Sequence, residues 1–290
     1  MQILINLVVM ALLYSLICSG YVLIYRSSRV LNLAHGEFMA LGGYFIFTLS
    51  LGIFPNPVPS FVLACVLSLA LGFAVYFLLM RFMAGESIFA GVLVTIALGI
   101  FFRGLMTLIW TSQLWHPLHY LGMKNVSYQV FGDAAISTFG IIKVLSAVVL
   151  FTFLFFCLKF TRWGLRMRAV GENPLLAAQR GISLHKYYAL SWGIGALSAG
   201  FAGMIQACDS GLDPEMFIIG LKAFPVVLVG GLDSLVGVIP GAFVVAAAEI
   251  IAINYISPQA SEVAPFVVLL SMLIIRPWGL FGTKEELERV

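Results

Sequence analysis

Long, uninterrupted apolar runs leave this chain few ways to fold. They recur at about 3–25, 30–52, 58–80, 88–110, 141–158, 189–208, 216–232, 235–255 and 263–275, and are rich in Leu, Val, Ala and Gly. A helix needs about 20 apolar residues to cross the hydrocarbon of a bilayer. A membrane β-barrel strand instead shows about ten residues of alternating polarity. The expected fold is an all-α polytopic membrane protein of about eight to ten transmembrane or re-entrant helices. Gly, Pro or ionisable residues interrupt the second, seventh, eighth and ninth runs, or leave them short, which is the pattern of broken or re-entrant segments. Composition agrees: 10% of the 290 residues are charged and 61% apolar, with a mean hydropathy of +1.05, whereas a soluble domain carries about 25% charged residues. Disorder, collagen and nucleic-acid binding are excluded. One membrane domain is expected over 1–290. Its first helix is expected to be retained, because no basic leader or small-residue cleavage pattern accompanies it.

Basic residues set the expected topology. Six of the 16, Lys159, Arg162, Arg166, Arg168, Arg180 and Lys186, crowd one loop beside a lone acid, Glu172. Cytoplasmic loops carry such an excess. Counting spans from it places Arg26, Arg29, Arg81, Arg276 and the tail 284–290 on the cytoplasmic side. Met1, the 111–140 segment with Asp133, the 209–215 turn and Glu262 then fall outside, with Lys124 and Lys143 as basic exceptions. Of the 111–140 segment the sequence says little beyond a Trp115-His116-Pro117 cluster suited to an interface.

Small residues recur at helix-packing spacing, Ala11, Ser15 and Ser19, then Ala199 and Gly203, then Gly237 and Gly241, and are expected to pack helices tightly within one bundle. Cys18, Cys65, Cys157 and Cys208 lack metal-ligand spacing and read as small buried apolar residues. Catalytic templates are missing: there is no GxxxxGK[ST], HExxH or GxSxG, and the four histidines are scattered. His35 and Glu37 stand two apart, about 200° around a helix, and so do not readily chelate one ion. No enzyme, metal site or bound cofactor is expected in this chain.

Within the basic loop, Asn173 suits an N-cap, Pro174 the first helical position, Leu175 to Arg180 a helix, and Gly181 the left-handed position after it. A connection this long with its own capped helix reads either as an interaction element or as an amphipathic helix held on anionic lipid.

These residues carry a resemblance. The Ala169-Val170-Gly171-Glu172-Asn173-Pro174 segment resembles the coupling loop of permeases in ATP-binding-cassette importers, and its wording that of branched-chain amino acid permeases. The run from Arg29 to Tyr44, RVLNLAHGEFMALGGY, is similar to the opening of LivH-type permeases. So are Phe224 to Ser234 and the ending Arg276-Pro277-Trp278-Gly279-Leu280-Phe281-Gly282. Four matches in order span nearly the whole chain. There are two departures: Leu175-Leu176 stands where the family usually has an acid after the proline, and Gly230-Gly231-Leu232-Asp233 replaces Gly-Gly-x-Gly.

The resemblance implies an ABC importer permease fold and alternating access for branched-chain amino acids, with urea or short-amide permeases as the nearest alternative and a secondary transporter as a remoter one. It implies a second related permease subunit, two cytoplasmic ATPases that use the ATP, a periplasmic or surface substrate-binding protein, and surrounding membrane lipid. The bacterial inner membrane is the implied location. Gly171, Glu172, Asn173, Pro174, Ala177, Ala178 and Gly181 are the expected ATPase-docking residues, and Asn32, His35, Gly36 and Glu37 the expected pathway residues.

Ionisable groups within spans are costly unless they face the bundle, water or a partner charge. Arg103 is expected to pair with an acid such as Glu249, and Lys222 with Pro225 to mark a broken seventh helix. Asn32 is expected to cap the second helix, with Gly36, Gly42 and Gly43 allowing close approach; a break lining the pathway and a polar turn snorkelling at the interface both fit. Five spans separate the second from the seventh, so a duplicated unit of that size is inverted in the membrane.

Overall fold

A computed structural model describes residues 1–52, 56–83, 85–132 and 134–283, so the expectations for Asp133 and the tail 284–290 lie outside the described residues. In chain order the elements are α1 (Gln2–Ser28), α2 (His35–Ser50), α3 (Pro57–Leu78), α4 (Ile88–Trp110), α5 (Pro117–Tyr120), β1 (Ser127–Phe131), β2 (Ala134–Ser137), α6 (Thr138–Phe160), α7 (Arg162–Glu172), α8 (Pro174–Gln179), α9 (Leu184–Ser210), α10 (Phe217–Gly230), α11 (Leu235–Tyr255) and α12 (Ala260–Ile275). Short 3-10 turns occupy Met80–Met83 and Pro214–Met216.

Each of the nine apolar runs holds a helix, the second only from His35 on. Six of these helices, α1, α3, α4, α6, α9 and α11, are long and apolar enough to cross a membrane among the described residues. The starts follow local chemistry: Asn56 caps α3 ahead of Pro57, and Ser87, Ser137 and Ser234 cap α4, α6 and α11 through their side-chain oxygens. As expected, α2, α10 and α12 are short, at 16, 14 and 16 residues. The eighth run, α11, is a complete 21-residue helix with Pro240 inside it.

At the centre stands α9, packed against α1, α2 and α3. The most apolar windows of α1 and α9 are 72% buried, against 28% for α3, 28% for α4 and 22% for α6, so the last three form the periphery. Contact between α2 and α9 is backbone on backbone, because a side chain at Gly42 would collide with Gly200. Gly203 likewise meets the Met39 backbone, and Gly237 and Gly241 meet Gly230, so these small residues do pack helices within the bundle.

The 111–140 segment holds structure that its composition did not announce. An antiparallel hairpin pairs Ser127 with Ser137 and Tyr128 with Ile136. The Gln2 side chain donates to the Ala135 carbonyl (3.1 Å) and accepts from its N–H (2.9 Å). At the same end of the bundle, Trp115 and Leu212 exchange backbone hydrogen bonds of 2.8 Å. The opposite end gathers Arg26, Arg29, Gly171, Asp233 and Thr283.

Candidate functional site

Neither α2 nor α10 begins at an end of the bundle. The first residue of α2, His35, donates from Nε2 to the carbonyl of Ile17 (3.0 Å), far inside α1. Ile17 lies about 16 Å of helix rise before the end of α1, and the non-helical residues 29–34, left-handed at Arg29 and turning at Leu33–Ala34, carry the chain back to that level. A re-entrant strand of irregular backbone therefore lifts α2 to mid-depth. Such backbone survives only if its polar groups are satisfied. Thr95 of α4 does this, accepting from the Leu33 N–H (3.2 Å) and sharing its hydroxyl proton between the carbonyls of Leu31 (3.1 Å) and, within its own helix, Val92 (2.8 Å). Asn32 accepts from the Ala34 N–H (3.2 Å). Asn32 is thus not the helix cap expected of it: Ala34 holds that position without a side-chain bond, and Asn32 stabilises the turn before it. Its buried amide also lies 3.5 Å from His35 Nδ1, so the group sits within the bundle and not at a snorkelling interface.

The chain repeats this manoeuvre from the other end. After α9, residues 211–216 descend from Leu212, whose side chain abuts Gly43, to Phe217, whose carbonyl meets Gly36. Seven residues of α2, about 10 Å, separate those levels. The helix α10 then runs on to Gly231, against Gly282. The two half-length helices therefore enter from opposite ends and meet at their N-termini, Gly36 against Gly220, with no room for a side chain at either. Among these segments it is the relation expected of inverted units. The expected break at Lys222 and Pro225 is not there: α10 is helical through both, and the interruption precedes it. Losing one N–H at Pro225 costs one intrahelical bond, while Lys222 is neutralised by Glu249.

Three charged contacts order the interior, and one corrects an expectation. Arg103 pairs with Glu37 (2.9 Å), not with Glu249. Glu249 instead accepts from Lys222 (2.7 Å) and from the Tyr14 hydroxyl (2.6 Å). Glu37 occupies the first turn of α2, where the helix dipole favours an anion. Gly99, one turn before Arg103 on α4, leaves room for its carboxylate. The Arg103 guanidinium also lies 4.3 Å from the ring centroid of Phe217, the first residue of α10. One arginine thus touches both half-helix N-termini, although its side chain is 43% exposed on the outer face of α4 beside Ile100, Thr107 and Leu108. Reading the sequence missed Arg103, Thr95 and Phe217 as members of this group; the four-residue spacing of Gly99 and Arg103 was the available signal.

Lys143 pairs with Asp209, which also accepts from Asn125 (2.9 Å). Both ion pairs, Lys143–Asp209 and Lys222–Glu249, line a cavity of about 620 Å³ that reaches from the hairpin end down to Tyr14. No cluster of three His, Cys, Asp or Glu residues able to hold a metal occurs among the described residues.

The capped loop forms as its residues dictate. Asn173 accepts from the Leu176 N–H (3.0 Å), Pro174 opens α8, and Gly181 ends it at φ 76°. Gly171 is buried against the Arg26 carbonyl, and the Gly171 carbonyl accepts from Arg29 Nε (3.2 Å), fixing the loop to the end of α1. Ala177 is also buried. Glu172, Asn173, Pro174, Ala178 and Gly181 are exposed, as are Leu175 at 70% and Leu176 at 57%.

Comparison with known proteins bears on all of this. The family described as "Branched-chain amino acid transport system / permease component" matches residues 3–275. The high-affinity branched-chain amino acid transport system permease protein LivH of Escherichia coli (strain K12) is 26% identical, over 96% of this chain and 93% of that protein. The corresponding permease protein BraD of Pseudomonas aeruginosa is 27% identical, over 100% and 98%. Among solved structures, PsaBC from Streptococcus pneumoniae in complex with Fab aligns over 96% of this chain and 93% of that one, at 14% identity and a TM-score of 0.49, too distant to carry an argument.

Proposed function

The chain belongs to the family of branched-chain amino acid transport system permease components, a multi-pass membrane protein, and on that premise we propose that it is the membrane-spanning subunit of an ATP-driven ABC importer for branched-chain amino acids. A second related permease completes the pathway, a periplasmic or surface binding protein delivers the solute, and two cytoplasmic ATPases drive alternating access. This chain contributes no ATPase site. Met1 faces outside and the basic loop and C-terminus face the cytoplasm of the bacterial inner membrane, in line with the positive-inside excess.

The observation that carries the reading is the exposed apolar face of α8. Leucines at 70% and 57% exposure on a charged loop are out of place in water, and Gly171 and Ala177 hold the helix rigidly to α1 and its own turn. A rigid lever with an unpartnered face is what a docking ATPase needs to transmit its motion. Glu172, Pro174, Leu175, Leu176 and Ala178 form the docking face, and Gly171 seats it.

The solute path runs past Asn32, His35, Gly36 and Glu37. A half-exposed arginine on a lipid-length helix is costly unless it faces water or another chain, so the α4 face around Arg103 is where the second permease closes the path. Glu37 and Arg103 offer one charge of each sign, matching a zwitterionic amino acid. In vesicles reconstituted with the complete importer, Glu172→Lys is expected to leave insertion and ATP hydrolysis intact while uptake of leucine falls at least tenfold, a cost of about 1.4 kcal/mol in coupling. Wild-type uptake by that variant would sink the docking assignment. Urea displacing leucine from uptake would overturn the solute.

A further inference from the structure

A cavity of about 430 Å³ lies where α1 and α6 end and α11 begins, walled by Arg26, Lys159, Arg168 and Asp233 with Phe155 and Val236. Its charges do not balance. Three cations face one carboxylate in its wall: Arg26 is repelled by Arg168 and attracted by Asp233 and, from outside the wall, by Glu172, and Arg168 Nε is buried without a hydrogen-bond partner. Lys159 rests on the rings of Phe155 (5.2 Å) and Phe160 (5.5 Å). Asp233, the acid on the wall, is engaged by the Thr283 N–H and hydroxyl. Among the described residues none of the three cations makes an ion pair. The N-terminus of α11, a 21-residue helix, adds a further partial positive charge at Ser234 and Leu235.

We propose that this cavity binds the phosphodiester headgroup of an anionic phospholipid, and that the bound lipid clamps the coupling loop to the transmembrane body. Chemistry calls for an anion with several acceptor oxygens, since two guanidiniums, an ammonium and a helix N-terminus converge there. Position calls for a lipid in place of a free anion. Phe155 of α6 and Val236 of α11, both in the cavity wall, and Phe160 beside Lys159 are exposed apolar surface, so acyl chains continue down the same wall that the headgroup enters. The consequence follows from where the arginines sit: Arg26 is on α1 and Arg168 on α7, the helix that leads into α8. A phosphate bridging them replaces their repulsion with attraction exactly where Gly171 abuts the Arg26 carbonyl. This inference rests on the membrane-spanning fold and holds whatever the solute.

The test uses the purified importer complex. Native mass spectrometry of wild type in mild detergent is expected to show about one retained phosphatidylglycerol per copy of this chain, lost in the Arg26→Gln/Arg168→Gln double variant and kept in part by Arg26→Lys/Arg168→Lys. In vesicles, wild-type coupled uptake is expected to fall several-fold when phosphatidylglycerol is replaced by phosphatidylcholine, while the Gln variant shows the lower rate in both. The Lys variant controls for folding, because it keeps the charges. Equal lipid retention by wild type and Gln variant, or uptake indifferent to the lipid, overturns the proposal. Inorganic phosphate restoring thermal stability to delipidated protein as fully as the lipid does makes the ligand a free anion and also overturns it. Loss of co-purifying ATPase from the Gln variant in phosphatidylglycerol assigns the cations to the ATPase and overturns it equally.

Discussion

Gly220 shows how little freedom a single position has when two helix ends meet. Its missing side chain is the space occupied by the Gly36 backbone, so Gly220→Val must part α2 from α10. Overpacking of a close contact costs about 1–3 kcal/mol, more when backbone cannot yield. The expected outcome is a destabilised permease, seen as a Tm drop of several degrees in detergent, whereas Gly104→Ala, with open space around it, leaves the Tm unchanged. The same scale shows what the sequence discloses. Asn173 and Pro174 act on the first turn of α8 and Gly181 just past its last, each on backbone a few residues away, so their roles were legible. Arg103 was recognisable as an intramembrane cation, but its partner was not: Glu37 and Glu249 satisfy the same electrostatic demand, and only long-range packing chooses between them.

Among the elements, the segment 29–34 is the one that apolar length misread. Val30, Leu31, Leu33 and Ala34 continue the hydropathy of the helix they precede, so the run at 30–52 registered apolar length without revealing that its first residues are not helical. Thr95 is what makes that backbone tolerable, through Leu31 and Leu33. Replacing it by valine conserves volume and strands a buried acceptor and donor, at about 1–3 kcal/mol each. Thr95→Val is accordingly expected to lower thermal stability and to speed amide exchange across residues 29–35, while Thr95→Ser preserves both. Unchanged exchange in the valine variant would remove Thr95 from this role. The hairpin was missed for a different reason. Tyr128, Val130 and Phe131 ahead of Gly132 are a strand-and-turn signal, but one hairpin is a weak signal beside nine apolar runs.

For the whole molecule, the hydrophobic pattern located the nine apolar helices, while α5, α7 and α8 fall outside the apolar runs. The buried centre of α1, α2, α9 and α10 is held by glycine contacts and ion pairs, while α3, α4 and α6 face outward. That division separates the part that must stay rigid from the surfaces left for lipid and partner chains. The meeting of α2 and α10 has one more consequence. Two positive helix ends and a guanidinium meet a single carboxylate, Glu37, inside the bundle, and the remaining excess of positive charge repels a sodium ion or hydronium there. A net-neutral solute feels little of that barrier. On the function proposed above, this geometry admits such a solute without dissipating a transmembrane ion gradient. Vesicles bearing Arg103→Met in the complete importer are expected to lose an imposed proton gradient faster than wild-type vesicles, read by an entrapped pH dye, even with no solute present.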